Sequence, residues 1–171
     1  MFEDNETPRP ADELRRLHWL WLLALATPAL YMLIGLAVGH TVFASKKNDG
    51  FWRLAPDEYR WVMLGVAGVA MALTAWVLWL RTRRAAHGAV LARRRPGIAG
   101  LIEQRQARDE AIRRYRFLTF LMFSLCDLIA FLGLLLYLIQ GDALSQGVLS
   151  ALAWLAYAFS RPMRPEDVRE S

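Results

Sequence analysis

The chain has 171 residues, 56% of them hydrophobic and 22% charged, with a formal net charge of +5 and one cysteine. The apolar residues are gathered into four blocks, which excludes an ordinary soluble domain and predicts a single polytopic membrane domain of all-α class. One cysteine excludes an internal disulfide, and the basic excess sits in one loop, where a lipid surface explains it without nucleic acid.

Residues 1–17 are polar, with Glu3, Asp4, Glu6, Asp12 and Glu13 against Arg9, Arg15 and Arg16. A secretory leader begins basic and has a short apolar core, so this acidic start before a long span predicts an uncleaved cytoplasmic segment. Asp12, ahead of Leu14 and Leu17, is expected to begin a short helix leading into the membrane. Span one is predicted over 18–42, with Trp19 and Trp21 as an interfacial anchor. Pro28 removes a backbone donor and frees the carbonyl of Ala24, so a kink is expected there. Gly35 and Gly39 let another helix approach closely, either inside the bundle or from a second copy.

In the loop that follows, Asn48-Asp49-Gly50 reads as a turn, and Pro56 with Asp57 and Glu58 reads as a helix start. Span two is predicted over 59–80, bracketed by Trp61 and by Trp76 and Trp79. Gly65, Gly68, Ala72 and Ala75 place a smooth face along it where another backbone can approach, read first as a general packing face and second as the surface for burying the carboxyl described below.

The stretch 81–116 carries eleven arginines against Glu103, Asp109 and Glu110. It is rich in helix formers on both sides of Pro96-Gly97, so spans two and three are expected to continue beyond the bilayer as a cytoplasmic helical hairpin turning there. Arg81, Arg83, Arg84, Arg93, Arg94 and Arg95 are expected to lie at anionic lipid head groups. Apart from Tyr115 the stretch has no aromatic residue for stacking bases, which argues against a nucleic-acid partner.

Span three, 117–139, reads FLTFLMFSLCDLIAFLGLLLYLI and is apolar except for Asp127 near its midpoint. As a helix it is about 35 Å long, enough to cross a hydrocarbon core of about 30 Å. An ionised carboxylate in hydrocarbon costs at least about 3 kcal/mol, so such a residue has a partner or a task. The nearest cation on the same helix, Arg116, is about 16 Å away along the axis. The neutral acid is therefore expected at rest, able to carry a proton when water or a basic partner arrives. Thr119, Cys126, Ala130 and Gly133 fall within about 60° of one another on the helix, a small-residue seam with Asp127 at its edge. Ser124 is expected to share a hydrogen bond with Asp127, making these two the candidate ion-binding residues, and Thr74 is a candidate partner from span two.

Gln140-Gly141-Asp142 predicts a short turn into span four, 143–159. That span is shorter, with Trp154, Tyr157 and Phe159 expected to mark its cytoplasmic end and Arg161-Pro162 to stop it before the tail, 161–171. Seventeen of the 21 basic residues fall on the N-terminal segment, the long loop and the tail, against Lys46, Lys47, Arg53 and Arg60 on the other side. The positive-inside rule then puts both termini in the cytoplasm, with four spans in two hairpins. Only two of the basic residues are lysine, a bias expected of a GC-rich bacterium and hence of its inner membrane.

Leu125-Cys126-Asp127, followed six residues after the acid by Gly133 in Gly-Leu-Leu-Leu, resembles the ion-binding helix of the proteolipid (c) subunit of rotary ATP synthases. Arg105-Gln106 is similar to the Arg-Gln of that subunit's polar loop. The resemblance covers about 35 residues, and the chain departs from it in lacking a proline after Gln106 and a run of alternating glycines. A second likeness is to small four-span bacterial membrane proteins with such a helix third and a Pro/Arg-rich tail, here Arg161-Pro162-Met163-Arg164-Pro165. What the resemblance implies is a proton-binding role for Asp127.

His18, His40 and His87 stand on separate segments, and no phosphate loop or nucleophile motif is present. No metal, cofactor or enzymatic activity is therefore expected. Two functions remain: a packing or assembly component in which Asp127 stays protonated and hydrogen-bonded, in a homo-oligomer or beside another membrane protein, and an ion-binding component in which it exchanges a proton.

Overall fold

The computed structural model describes residues 10–45, 54–92 and 101–162, and every regular element among them is helical. In chain order the helices are α1 (Pro10–Ala24), α2 (Thr27–Ser45), α3 (Pro56–Ala92), α4 (Leu101–Gln140) and α5 (Ala143–Phe159). The stretches Asp12–Gly39, Pro56–Ala86 and Asp109–Gln140 are each long and apolar enough to cross a membrane, and Ala143–Phe159 is a shorter apolar helix. The chain is thus a membrane protein whose described residues are all-helical. The expected turns at Asn48-Asp49-Gly50 and Pro96-Gly97, and Arg93, Arg94 and Arg95, lie outside the described residues.

Local chemistry sets the helix ends. Pro56 needs no donor at a helix start, Asp57 and Glu58 complement its positive end, and the Ala55 N–H donates to Glu58 Oε2 at 3.2 Å. Between α4 and α5, Gly141 takes φ 74°, a left-handed conformation that a residue without Cβ adopts freely. Asp142 then caps α5, accepting from the N–H groups of Leu144 at 3.1 Å and Ser145 at 3.3 Å.

Helix α4 is the centre, packed against α2, α3 and α5, with α1 beside its N-terminal half. The start of α3 meets the α4–α5 turn through Tyr59 and Asp142, and Arg84 of α3 meets the end of α5 at Ser160, so α3 runs antiparallel to α4. At 37 and 40 residues, α3 and α4 are about 55 and 60 Å long, well beyond a bilayer core. Against the N-terminal extension of α4 lies the polar end of α1: Leu14 and Leu17 pack on Ala111 and Tyr115, and Glu13 pairs with Arg116 at 3.1 Å.

Two expectations about packing are corrected. The small-residue face of α3 is not the buried one: Gly65 and Gly68 have nothing within 4 Å, and Ala72 is exposed with Ala75. The inward residues are Ala70, Leu73, Val77 and Leu80, about 140° round the helix, whose larger side chains fill the space against Met122, Cys126 and Ile129. Span one is also not one kinked helix. It ends at Ala24 and restarts at Thr27, because Pro28 cannot donate to Ala24 and suits the first turn of a new helix instead. The close approach in the core is at Gly133, where a Cβ would stand 3.0 Å from Leu149 Cβ and 3.3 Å from the Gln146 carbonyl. Thr119, Cys126 and Ala130 are fully buried on the same side of α4.

Candidate functional site

The break between α1 and α2 and the end of α5 lie at the level of Asp127. Such irregular backbone is tolerated at membrane depth only where its polar groups find partners. Two indoles supply them: Trp21 Nε1 donates to the Tyr157 carbonyl and Trp154 Nε1 to the Leu25 carbonyl, each at 3.0 Å. Trp21 thus has its indole N–H turned to α5, with Arg161 over its ring at 5.6 Å, while Trp19 is 67% exposed.

Into this junction Asp127 projects a half-buried carboxyl. The Tyr157 hydroxyl donates to Asp127 Oδ1, and Thr27, the first residue of α2, is within hydrogen-bonding reach. The positive end of the α2 dipole thus begins beside the carboxyl, which needs no cation from this chain to be tolerated. Tyr31, one turn along α2, lies within electrostatic range of Asp127, and its ring meets Phe131 edge-on at 6.1 Å.

Tyr157 is fully buried and has two acceptors in reach: Asp127 Oδ1 and, at 3.3 Å, the Phe123 carbonyl. A phenol has one proton to give. With Asp127 ionised that proton goes to the carboxylate. With Asp127 protonated, the acid donates to the phenol oxygen and the phenol proton turns to Phe123. Both protonation states of the carboxyl are therefore satisfied without moving a helix.

The predicted partners of Asp127 are elsewhere. Ser124 is exposed with no hydrogen bond to Asp127, and the Thr74 hydroxyl donates to the Ala70 carbonyl of its own helix at 2.8 Å. Cys126 is buried with its sulfur 3.7 Å from Ser160 Oγ. Gly35 and Gly39 make room for polar side chains: a Cβ at Gly35 would strike the Gln146 amide and one at Gly39 the Tyr137 hydroxyl. Gln146 Nε2 donates to the Tyr31 carbonyl at 3.0 Å. Sequence reasoning missed Gln146, Ser150 and Tyr157, all buried, although their spacing puts them within about 40° on one face of α5. That polar stripe was the available signal.

The arginines separate by partner. Arg84, expected at lipid head groups, is only 6% exposed: its two terminal nitrogens donate to the carbonyls of Ser160 and Arg161 at 2.7 Å each, capping the negative end of α5. Backbone carbonyls at the end of a short span have no intrahelical donors, and this guanidinium supplies them. Arg81 stacks on Phe159 at 5.4 Å and Arg83 on Trp79 at 4.8 Å.

At the opposite end of α5, Asp142 receives the Tyr59 hydroxyl at 2.7 Å and the Ser145 hydroxyl besides its two backbone donors. Burial pushes this carboxyl upward, but the hydrogen bonds from Ser145, Tyr59 and the Ser145 and Leu144 N–H groups outweigh it and hold the acid below its ordinary value. A depressed carboxyl contributes stability above its unfolded value, near 4, and loses it as pH falls through the folded value. Asp142→Asn should therefore flatten the acid limb of a melting-temperature profile below about pH 4. An unchanged acid limb would mean that the hydrogen bonds do not favour the ionised form.

The chain matches no protein-family model, no curated protein sequence and no solved structure.

Proposed function

We propose that the protein is a non-enzymatic, proton-binding membrane component in which Asp127 takes up and releases H⁺. The observation that carries this reading is the single phenol of Tyr157 placed between Asp127 and the Phe123 carbonyl, which satisfies the charged and the neutral acid alike. The start of α2 and Thr27 lie beside the carboxyl, and the likeness of 117–139 to the proteolipid-subunit helix agrees with the assignment. Since the carboxyl is satisfied within one chain, proton binding requires no ring of copies. In this proposal α1–α2, α3, α4 and α5 form four spans in two hairpins, with the basic ends on the cytoplasmic side of a bacterial inner membrane.

A second reading makes the protein a packing or assembly component. It is favoured by the way the same contacts tie α1, α2, α4 and α5 together at one level.

Carbodiimide labelling of Asp127 in native membranes across pH, located by mass spectrometry, tests the first reading, because the reagent selects protonated carboxyls in apolar surroundings. The expected result is labelling that titrates with pH, is absent in Asp127→Asn and follows a different pH dependence in Tyr157→Phe. No labelling at any pH would leave the packing reading in place of it.

A further inference from the structure

A hydroxyl inside a membrane helix satisfies itself by turning back onto the carbonyl one turn earlier. Three in this protein do so: Thr74 on Ala70 at 2.8 Å, Thr119 on Tyr115 at 2.8 Å and Ser160 on Ala156 at 2.7 Å. Ser150 does not. Its hydroxyl is wholly buried in α5 and has no hydrogen-bond partner among the described residues. A buried hydroxyl left so costs stability unless water answers it. Its neighbours fix where it lies. One turn before it, Gln146 reaches across to the Tyr31 carbonyl of α2, and two turns after it, Tyr157 reaches Asp127. Helix α2 passes from Thr27, beside Asp127, to Tyr31, beside Gln146, so it runs antiparallel to α5. Ser150, about 6 Å beyond Gln146 along the axis, is therefore level with the first turn of α2. Pro28 in that turn is fully buried and has no N–H to give it.

We infer that Ser150 holds the water through which Asp127 meets its proton, on a route that enters from the Asp142 end of α5 along the seam between α2 and α5. The inference rests on the reading of Asp127 as a proton-binding group. Asp142, Gln146 and Ser150 follow one another at intervals of four residues and so line one face of α5, with Tyr157 seven residues further on the same face. At the mouth Asp142 gathers the hydroxyls of Tyr59 and Ser145. Gln146 and Ser150 are the two polar steps inward, 4% and 0% exposed. The Tyr157 side chain leans back along α5 toward Ser150, which brings its hydroxyl and Asp127 between the two levels. A water there has the partners it needs in the Ser150 hydroxyl, the Thr27 hydroxyl and the Asp127 carboxylate. Loading breaks one O–H bond of a hydronium ion at Ser150 and forms the Asp127 O–H bond, leaving water. Release runs in reverse, and Ser150 ends each step with the proton it began with. Toward the other end of α5, Trp21 and Arg84 already take the carbonyls of Tyr157, Ser160 and Arg161, so the unanswered hydroxyl of α5 lies on the Asp142 side of Asp127.

The test is cysteine accessibility of the full chain in sealed membrane vesicles, with Cys126→Ala as the background. The probe is a small charged methanethiosulfonate, which reaches a thiol only through water. Ser150→Cys, nearly isosteric, should react from the same side as Asp57→Cys at the exposed start of α3, which lies at the Asp142 end. It should react at least about tenfold faster than Val77→Cys, which is as deeply buried but packed between α3 and α4. Because a substitution in the seam can loosen it, the unaltered chain is also footprinted with hydroxyl radicals generated from water. The Tyr157 ring should be oxidised faster than Met122, which is equally buried but in the dry contact with α3. No reaction at Ser150→Cys, a rate matched by Val77→Cys, or a Tyr157 ring protected as well as Met122 would each overturn the route. So would reaction from the opposite side, where the His18 Nδ1 atom is also buried without a partner. Carbodiimide labelling of Asp127 is read separately. A reactive Ser150→Cys beside an Asp127 that never labels would confirm the water at Ser150 and overturn the proton-binding reading instead.

Discussion

Tyr157→Ala is expected to lower the unfolding free energy in detergent by about 3 kcal/mol, while Tyr157→Phe lowers it by about 1 kcal/mol. The ring is fully buried and meets Phe123 at a centroid distance of 5.9 Å, so alanine leaves a void as well as an unanswered carboxyl. Phenylalanine keeps the packing and removes only the hydroxyl that bridges Asp127 and Phe123. In lipid the void is costly through lost dispersion contact rather than through exposure to water, since the surrounding acyl chains are as apolar as the core. Urea or thermal unfolding monitored by circular dichroism measures both values. Equal effects for the two variants would mean that the hydroxyl, not the ring, carries the contribution. No effect for either would remove Tyr157 from the core of the site.

Arg84→Ala is the second large change, expected to cost about 3 kcal/mol. It leaves two carbonyls at the end of α5 without donors in a region that water reaches poorly, and it removes a cation from the negative end of that helix. It also uncovers the Tyr115 ring, over which the guanidinium lies at 5.6 Å. Lysine restores the charge but not the two-pronged geometry, so Arg84→Lys should recover only part of the loss. A melting temperature unchanged in Arg84→Ala, measured beside the same substitution at Arg15, would show that α5 ends without this cap.

The two variants bear on the site together, because Arg84 fixes the last turn of α5 and that turn carries Tyr157. Loss of the cap should therefore disturb the environment of Asp127 without touching the carboxyl. Carbodiimide labelling of Asp127 in Arg84→Ala reports this coupling separately from global stability.

Pro28 marked the place where span one deviates but not that it divides into two helices. The membrane class, the helix start at Pro56 and the turn at Gly141-Asp142 were legible in the sequence, because each rests on chain length in an apolar run or on backbone chemistry local to a few residues. So was the singularity of Asp127, whose charge stands out against its neighbours. Only the tertiary structure decided which face of α3 turns inward, that Arg84 leaves the lipid surface for the end of α5, and that Tyr157 and Thr27 rather than Ser124 answer Asp127. In water a helix reveals its inner face by being apolar there and polar elsewhere. In a bilayer both faces are apolar, so periodicity distinguishes little, and the choice falls to shape and to long-range hydrogen bonds that no local pattern encodes.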